Sequence, residues 1–142
     1  MTRQRSLTRM MKLVAPRALA LLERVREACP EVNFAEPADE SGDDVRWGMW
    51  HEFGDGDGVD VYVEAHLSED YGDRGGGVAF GFHMTGWGGE IIGMCTPRNY
   101  TPEVWVPRNN MSSVDARLRE LESLDVSGVQ DMIFAHLSRR AA

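Results

Sequence analysis

The sequence predicts an α+β fold: a two-layer sandwich in which an antiparallel meander of four or five strands carries one N-terminal and two C-terminal helices on one face. Three observations predict it. Apolar residues recur at helical spacing at both ends of the chain. Three consecutive stretches in the middle alternate with period two. Glycine-bearing turns join those stretches. At 142 residues the chain is expected to form one domain, 1–142, with residues 1–5 as a frayed basic N-terminus. A chain of this size buries roughly two thirds of its unfolded surface, enough for a core without staples.

Each element has its own signal. Leu7, Met10, Met11 and Val14, then Ala18, Leu21, Leu22 and Val25, place a helix over Ser6–Cys29. Pro16 either kinks that helix or opens a second one, and Pro30 ends it. The arginine-rich, acid-poor start has the composition of a transit peptide, but its apolar side continues in step, which favours the first helix of the domain. "AEPADESGDD" reads as a polar loop. Val45, Trp47, Met49, His51 and Phe53 form the inward set of one strand. Val59, Val61, Val63, Ala65 and Leu67 form the next, and Val78, Phe80, Phe82 and Met84 the third. "GEIIGMCT" is a fourth strand and "EVWV" a fifth, confined to an edge by the surrounding prolines. Ser112 and Ser113 are expected to cap "VDARLRELESL". Ser127 and Gln130 form a capping box for the last helix.

Charge is partitioned along the chain. Residues 1–30 hold seven basic and two acidic side chains, residues 31–73 hold fourteen acids and the single base Arg46, and residues 74–142 hold seven of each. An acidic centre disfavours a general nucleic-acid binder, which needs basic surface against phosphate, and favours a cation or a basic protein as partner. No apolar run reaches the ~20 residues that span a bilayer, so no membrane partner is expected. Cys29 and Cys95 have no metal spacing and read as two buried reduced thiols of a cytoplasmic protein.

The chemistry concentrates in "WHEFGDGDGVDVYVEAH", Trp50 to His66. "DGDGVD" is not an EF-hand loop. Counted from Asp55, the glycine position holds Asp60 and the final carboxylate position holds His66. The glycines suit a hairpin turn at positive φ. Pairing Phe53 with Val59, and Leu67 with Val78, puts three rows on the outer face: Glu52, Asp60, Thr85; Trp50, Tyr62, His83; and Gly48, Glu64, Gly81. Glu64 between two glycines would lie in a shallow trough beside aromatic rings.

Two functions follow as expectations. The first is a binding protein without a cofactor, of inhibitor, neutraliser or adaptor type. It presents Asp55, Asp57 and the Trp50, Tyr62, Glu64, His83 trough to a basic protein partner, with Arg98 and Tyr100 of the proline-bracketed "TPRNYTPEVW" as further anchors. The second is a metal-dependent hydrolase, in its nuclease form, with Glu52, Asp60 and Glu64 holding Mg²⁺ or Mn²⁺ and His66 or His83 as base. The trough alone would also suit a small molecule. The run from Asp60 to His66 is similar to the metal-binding core of the PD-(D/E)xK nucleases, which pairs an Asp with a Glu-x-Lys on adjacent strands. Here the Asp and Glu share one strand and His66 stands at the lysine position. The chain's one lysine is Lys12, so the family's pattern is left incomplete. No GxSxG, phosphate-loop lysine or HExxH is present.

Overall fold

The structure, a computed structural model, describes residues 3–42, 45–68, 77–95, 101–102 and 111–141. Helix α1 (Arg3–Ala28) leads into a short strand β1 (Ala38–Asp39). The long strands β2 (Val45–Gly54), β3 (Asp57–Ser68) and β4 (Gly77–Gly86) follow, then β5 (Ile91–Cys95) and β6 (Thr101–Pro102). Helices α2 (Met111–Glu122) and α3 (Val126–Ala141) close the chain. Among the described residues every strand pairing is antiparallel, in the order β1-β2-β3-β4-β5, and β6 pairs with the first residues of β4, Gly77 and Val78. This is the expected α+β layout.

The helices cover the face that carries the alternating apolar set. α1 lies over β2 and β3, α2 over β4, and α3 beside β5. Met10, Val14, Ala18, Leu21, Leu22 and Val25 fall on one side of α1 because their spacing follows the helical turn. They meet Trp47, Met49, Val61, Val63, Phe80 and Phe82 in one buried core. Val114, Leu118 and Leu121 of α2 and Val129 and Ile133 of α3 complete it. α1 begins three residues earlier than the sequence places it, so Arg3 and Arg5, good helix formers, belong to the helix. It also runs unbroken through Pro16. The bond that proline removes belongs to the carbonyl of Lys12, and both residues lie on the exposed side.

Polar groups fasten the helices to one another. Arg17 of α1 donates to both Asp115 and Glu122 of α2. Its hydrogen bonds to Glu122 raise the guanidinium's already high pKa further. The expected capping box at Ser127 is replaced. α3 begins at Val126, and the Asp125 carbonyl accepts its first helical hydrogen bond, from Val129 N–H. Asp125 therefore occupies the N-cap position, where its side chain lies beside Gly128. Gln130 is released to donate to the Ala28 carbonyl at the end of α1, at 2.8 Å. Cys29, the next residue, carries a free thiol whose pKa burial raises.

Two local expectations are corrected. β1 lies inside the stretch read as a polar loop, pairing Ala38 with Gly48 and Asp39 with Trp47. The β2–β3 register is shifted by two residues: His51, not Phe53, faces Val59. The reason is the turn. Asp55 and Gly56 both have positive φ, 57° and 75°, as a two-residue type I′ turn requires. That turn closes on Gly54 and Asp57, and alone it would set inward residues of β2 opposite outward residues of β3. One extra residue, Phe53, interrupts the ladder between Glu52 and Gly54 and restores the phase. The β3–β4 register is the expected one, with Tyr62 facing His83 and Glu64 facing Gly81. The expected strand at "EVWV" falls outside the described residues.

Phe82, 1% exposed at the centre of the sheet, tests the core. Phe82→Ala is expected to cost about 3–5 kcal/mol, seen as a lower urea midpoint with an unchanged m-value.

Candidate metal centre

With the registers fixed, the outer face carries new rows: Trp50, Asp60, Thr85; Gly48, Tyr62, His83; and Arg46, Glu64, Gly81. Glu64 does not lie between two glycines. Arg46 stands on one side of it and Gly81 on the other. Gly48 serves a different purpose: a Cβ there would collide with the Glu40 carboxylate, which passes over it from the β1 side. Glu40 in turn accepts a hydrogen bond from Arg46 at 3.3 Å.

Period-two geometry puts Glu64 and His66 on the same face of β3, and the ladder brings His83 of β4 beside them. Gly81, directly across from Glu64, leaves the carboxylate room to lean towards β4. Glu64 Oε2 lies 3.5 Å from His66 Nε2 and 3.6 Å from His83 Nε2. The three donor atoms all lie within 4.8 Å of one another. Among the described residues this is the one group of three metal-ligating side chains so gathered.

The burial is graded. His83 is 8% exposed as a residue, and the side chains of Glu64 and His66 are 14% and 37% exposed. The site is thus walled at the back and open at His66. His83 Nε2 is buried and has no hydrogen-bond partner among the described residues. At 3.6 Å the carboxylate is too far to supply one. Burial lowers the His83 pKa below the ordinary histidine range. Attraction to Glu64 opposes that shift, while His66 and Arg46 add to it. A neutral imidazole with a buried, unpartnered nitrogen is in the state a metal ligand needs.

The rings are held from one side by a stack. The Arg46 guanidinium lies 4.0 Å over the Tyr62 ring, and Tyr62 stacks on His83 with centroids 5.1 Å apart at 22°. His83 then meets His66 edge-on at 5.8 Å. This layering restricts the rotation of both imidazoles.

The donor set fits a transition ion better than Mg²⁺. With metal–ligand distances of about 2.1 Å, tetrahedral geometry sets neighbouring donors roughly 3.4 Å apart. The Glu64–His66 and Glu64–His83 separations of 3.5 and 3.6 Å match that spacing. Two imidazoles and a carboxylate suit zinc and its first-row neighbours, manganese less strongly, whereas Mg²⁺ prefers oxygen.

The oxygen cluster Glu52, Asp60, Glu64 is not assembled. Asp60 and Glu64 are four residues apart on one strand, about 13 Å at the extended rise. Glu52 is exposed and faces Gly58, nearer the turn. Asp55 sits at the tip of that turn, and Asp57 accepts from Gly58 N–H at 2.9 Å. Arg98 and Tyr100 lie outside the described residues. His51, on the inward side of β2, has its Nδ1 3.0 Å from the Asn33 carbonyl. Sequence reasoning missed Arg46 and Trp87. Arg46 had a visible signal, as the only base among fourteen acids. Trp87 had none, because it follows the β4 strand end and folds back over Gly58, where a Cβ would lie 2.6 Å from the indole.

No protein-family model, curated protein or solved structure matches the chain.

The lowered His83 pKa has a stability consequence. The unfolded chain takes up a proton at His83 near pH ~6.5, and the folded state resists it. Stability from this group is therefore full above that pH and falls as pH drops through it. In EDTA, the urea midpoint is expected to fall more steeply from pH 7.5 to 5.5 in the wild type than in His83→Gln. Equal slopes would contradict this.

Proposed function

We propose that the chain binds one divalent transition ion, zinc or a close neighbour, through Glu64, His66 and His83, and uses it for metal-assisted hydrolysis. The observation that carries this reading is His83 Nε2, buried and unpartnered, aimed at the carboxylate that His66 also faces. Three protein ligands leave room for a further one. A zinc-class ion in such a setting lowers the pKa of bound water towards neutrality and polarises an ester or amide. The chain's own contribution is to hold the ligands. β3 and β4 fix two strands' worth of donors, the Tyr62 stack orients His83, and the exposed side of His66 admits substrate.

The test is thermal melting with Zn²⁺, Co²⁺, Mn²⁺, Mg²⁺ or EDTA. An ion at 100 times its dissociation constant adds about 2.7 kcal/mol, a rise of roughly 6–10 °C for a domain of this size. Zn²⁺ and Co²⁺ are expected to produce it and Mg²⁺ to fail. Glu64→Gln and His83→Gln are expected to abolish it. A rise that survives both substitutions would sink the assignment.

A second reading, docking of a basic protein partner, is supported by a different observation. Trp50 and Trp87 are 45% and 39% exposed, with ring centroids 6.1 Å apart. Trp50 also lines an open cleft of about 440 Å³ with Glu36, Glu52 and Asn33. The cleft's one cation, Arg26, is occupied by Glu23 and the Phe34 carbonyl. Exposed indole faces beside carboxylates suit a lysine or arginine side chain. Tryptophan fluorescence titrated with an arginine-rich peptide is expected to change at low salt. Trp50→Ala and Glu52→Gln should each weaken the response, and 0.5 M salt should remove it. A response indifferent to salt and to both substitutions would rule this reading out.

A further inference from the structure

We infer that the substrate class of the Glu64, His66, His83 centre is a small phosphate ester, with Arg46 seating its non-bridging oxygens. This rests on the metal reading and goes beyond it by naming what the centre acts on. Arg46 is directly across the β2–β3 ladder from Glu64, so its side chain leaves the sheet on the same face, one strand away from the ligating carboxylate. It is the only base in the acidic segment 31–73.

The guanidinium is pre-organised. Tyr62 supports one face at 4.0 Å, and Glu40 accepts from Nη2 at 3.3 Å. One of its five N–H donors is engaged by Glu40, and the side chain is 30% exposed. A fork held flat on an aromatic ring loses little entropy when it grips an anion, and its geometry matches two oxygens of a phosphate. Being permanently charged, it adds a second fixed positive point beside the proposed ion.

Charge around the centre selects within phosphates. Taken together, a divalent ion, Glu64, Arg46 and Glu40 leave a single positive charge in surplus, which favours a compact anion over a neutral ligand. Beyond them Glu52 and Asp60 stand on the same outer face, towards the β2–β3 turn. A polyanion laid across this face would meet those charges, and a compact monoester would not. The same reasoning disfavours the nuclease form of the hydrolase.

Cobalt substitution reads metal and anion separately. Co²⁺ bound by two imidazoles and a carboxylate gives a visible d–d spectrum, and His83→Gln is expected to lose it. If the wild type gives no such spectrum, the metal reading itself fails and this inference falls with it. On the Co²⁺ protein, inorganic phosphate is expected to perturb the spectrum saturably. Arg46→Gln should still give a Co²⁺ d–d spectrum without phosphate, because Tyr62 itself stacks on His83, and should raise the phosphate Kd about tenfold or more. Arg46→Lys, which keeps a cation and an apolar stem over Tyr62, should recover part of the affinity. An unchanged phosphate Kd in Arg46→Gln overturns the inference. So does acetate binding as tightly as phosphate, because the class would then be a carboxylate. A single-stranded oligonucleotide binding more tightly than phosphate would overturn the restriction to small esters.

Discussion

The two-residue turn at Asp55 and Gly56 and the bulge at Phe53 act as one constraint on the outer face of the sheet. The turn closes the hairpin on Gly54 and Asp57. A strict ladder continued from that pair would set each buried residue of β2 opposite an exposed residue of β3. Trp47 and Met49 could then share the core with Val61 and Val63 only by breaking the sheet. The extra residue costs one ladder position and keeps the core whole. Its second effect is chemical, because it puts Arg46, rather than Trp47, opposite Glu64. The bulge is thus required by packing, and the composition of the candidate site follows from it.

Packing dominates the energetics, and the polar links set geometry. The buried side chains of α1 and of the sheet each stabilise by about 1.5–3 kcal/mol relative to exposure. Partly exposed ion pairs such as that of Arg17 with Glu122 contribute far less per contact. What Arg17 supplies is alignment: it joins one point on α1 to two carboxylates on α2, fixing how that helix lies over β4. Gln130 does the same for α3 by donating to the last carbonyl of α1, that of Ala28. The helical layer is therefore tied to α1 at its middle and at its C-terminal end, above the strands that carry the three donor atoms.

The sequence made some of this legible and concealed the rest for identifiable reasons. The β3–β4 register could be read because both strands are long and their apolar sets fix the phase, so Tyr62 opposite His83 and Glu64 opposite Gly81 were accessible. The β2–β3 register was not, because "GDGDG" offers turn residues at several positions and a bulge leaves no mark in an alternating pattern. Glu64, His66 and His83 could each be named from the sequence. Grouping them was harder. Acidic residues close along the chain suggest an oxygen cluster, but the extended rise carries Asp60 away from Glu64, while a neighbouring strand brings His83 close. Gln130 was misassigned for a related reason. Its spacing from Ser127 fits a capping box, yet Asp125 offers an earlier cap, and the α1 carbonyls that need a donor are distant in sequence.

The segregation of charge and the placement of the candidate metal ligands belong to one arrangement. An acidic segment folded into a hairpin surrounds the ligating face with carboxylates, which raises the local concentration of divalent cations and repels extended anions. Within that field a lone arginine is conspicuous. Left unsupported it would be drawn to whichever carboxylate lay nearest. Here that carboxylate is Glu40, and together with Tyr62 it holds the guanidinium over the ring that stacks on His83. The stack links the two halves of the face, since Tyr62 lies between the Trp50 row and the Arg46 row. An ion at Glu64 would neutralise the carboxylate opposite Arg46 and leave the guanidinium's charge directed outward. In that state the centre gains a preference for anions that the same residues, without the ion, would not have.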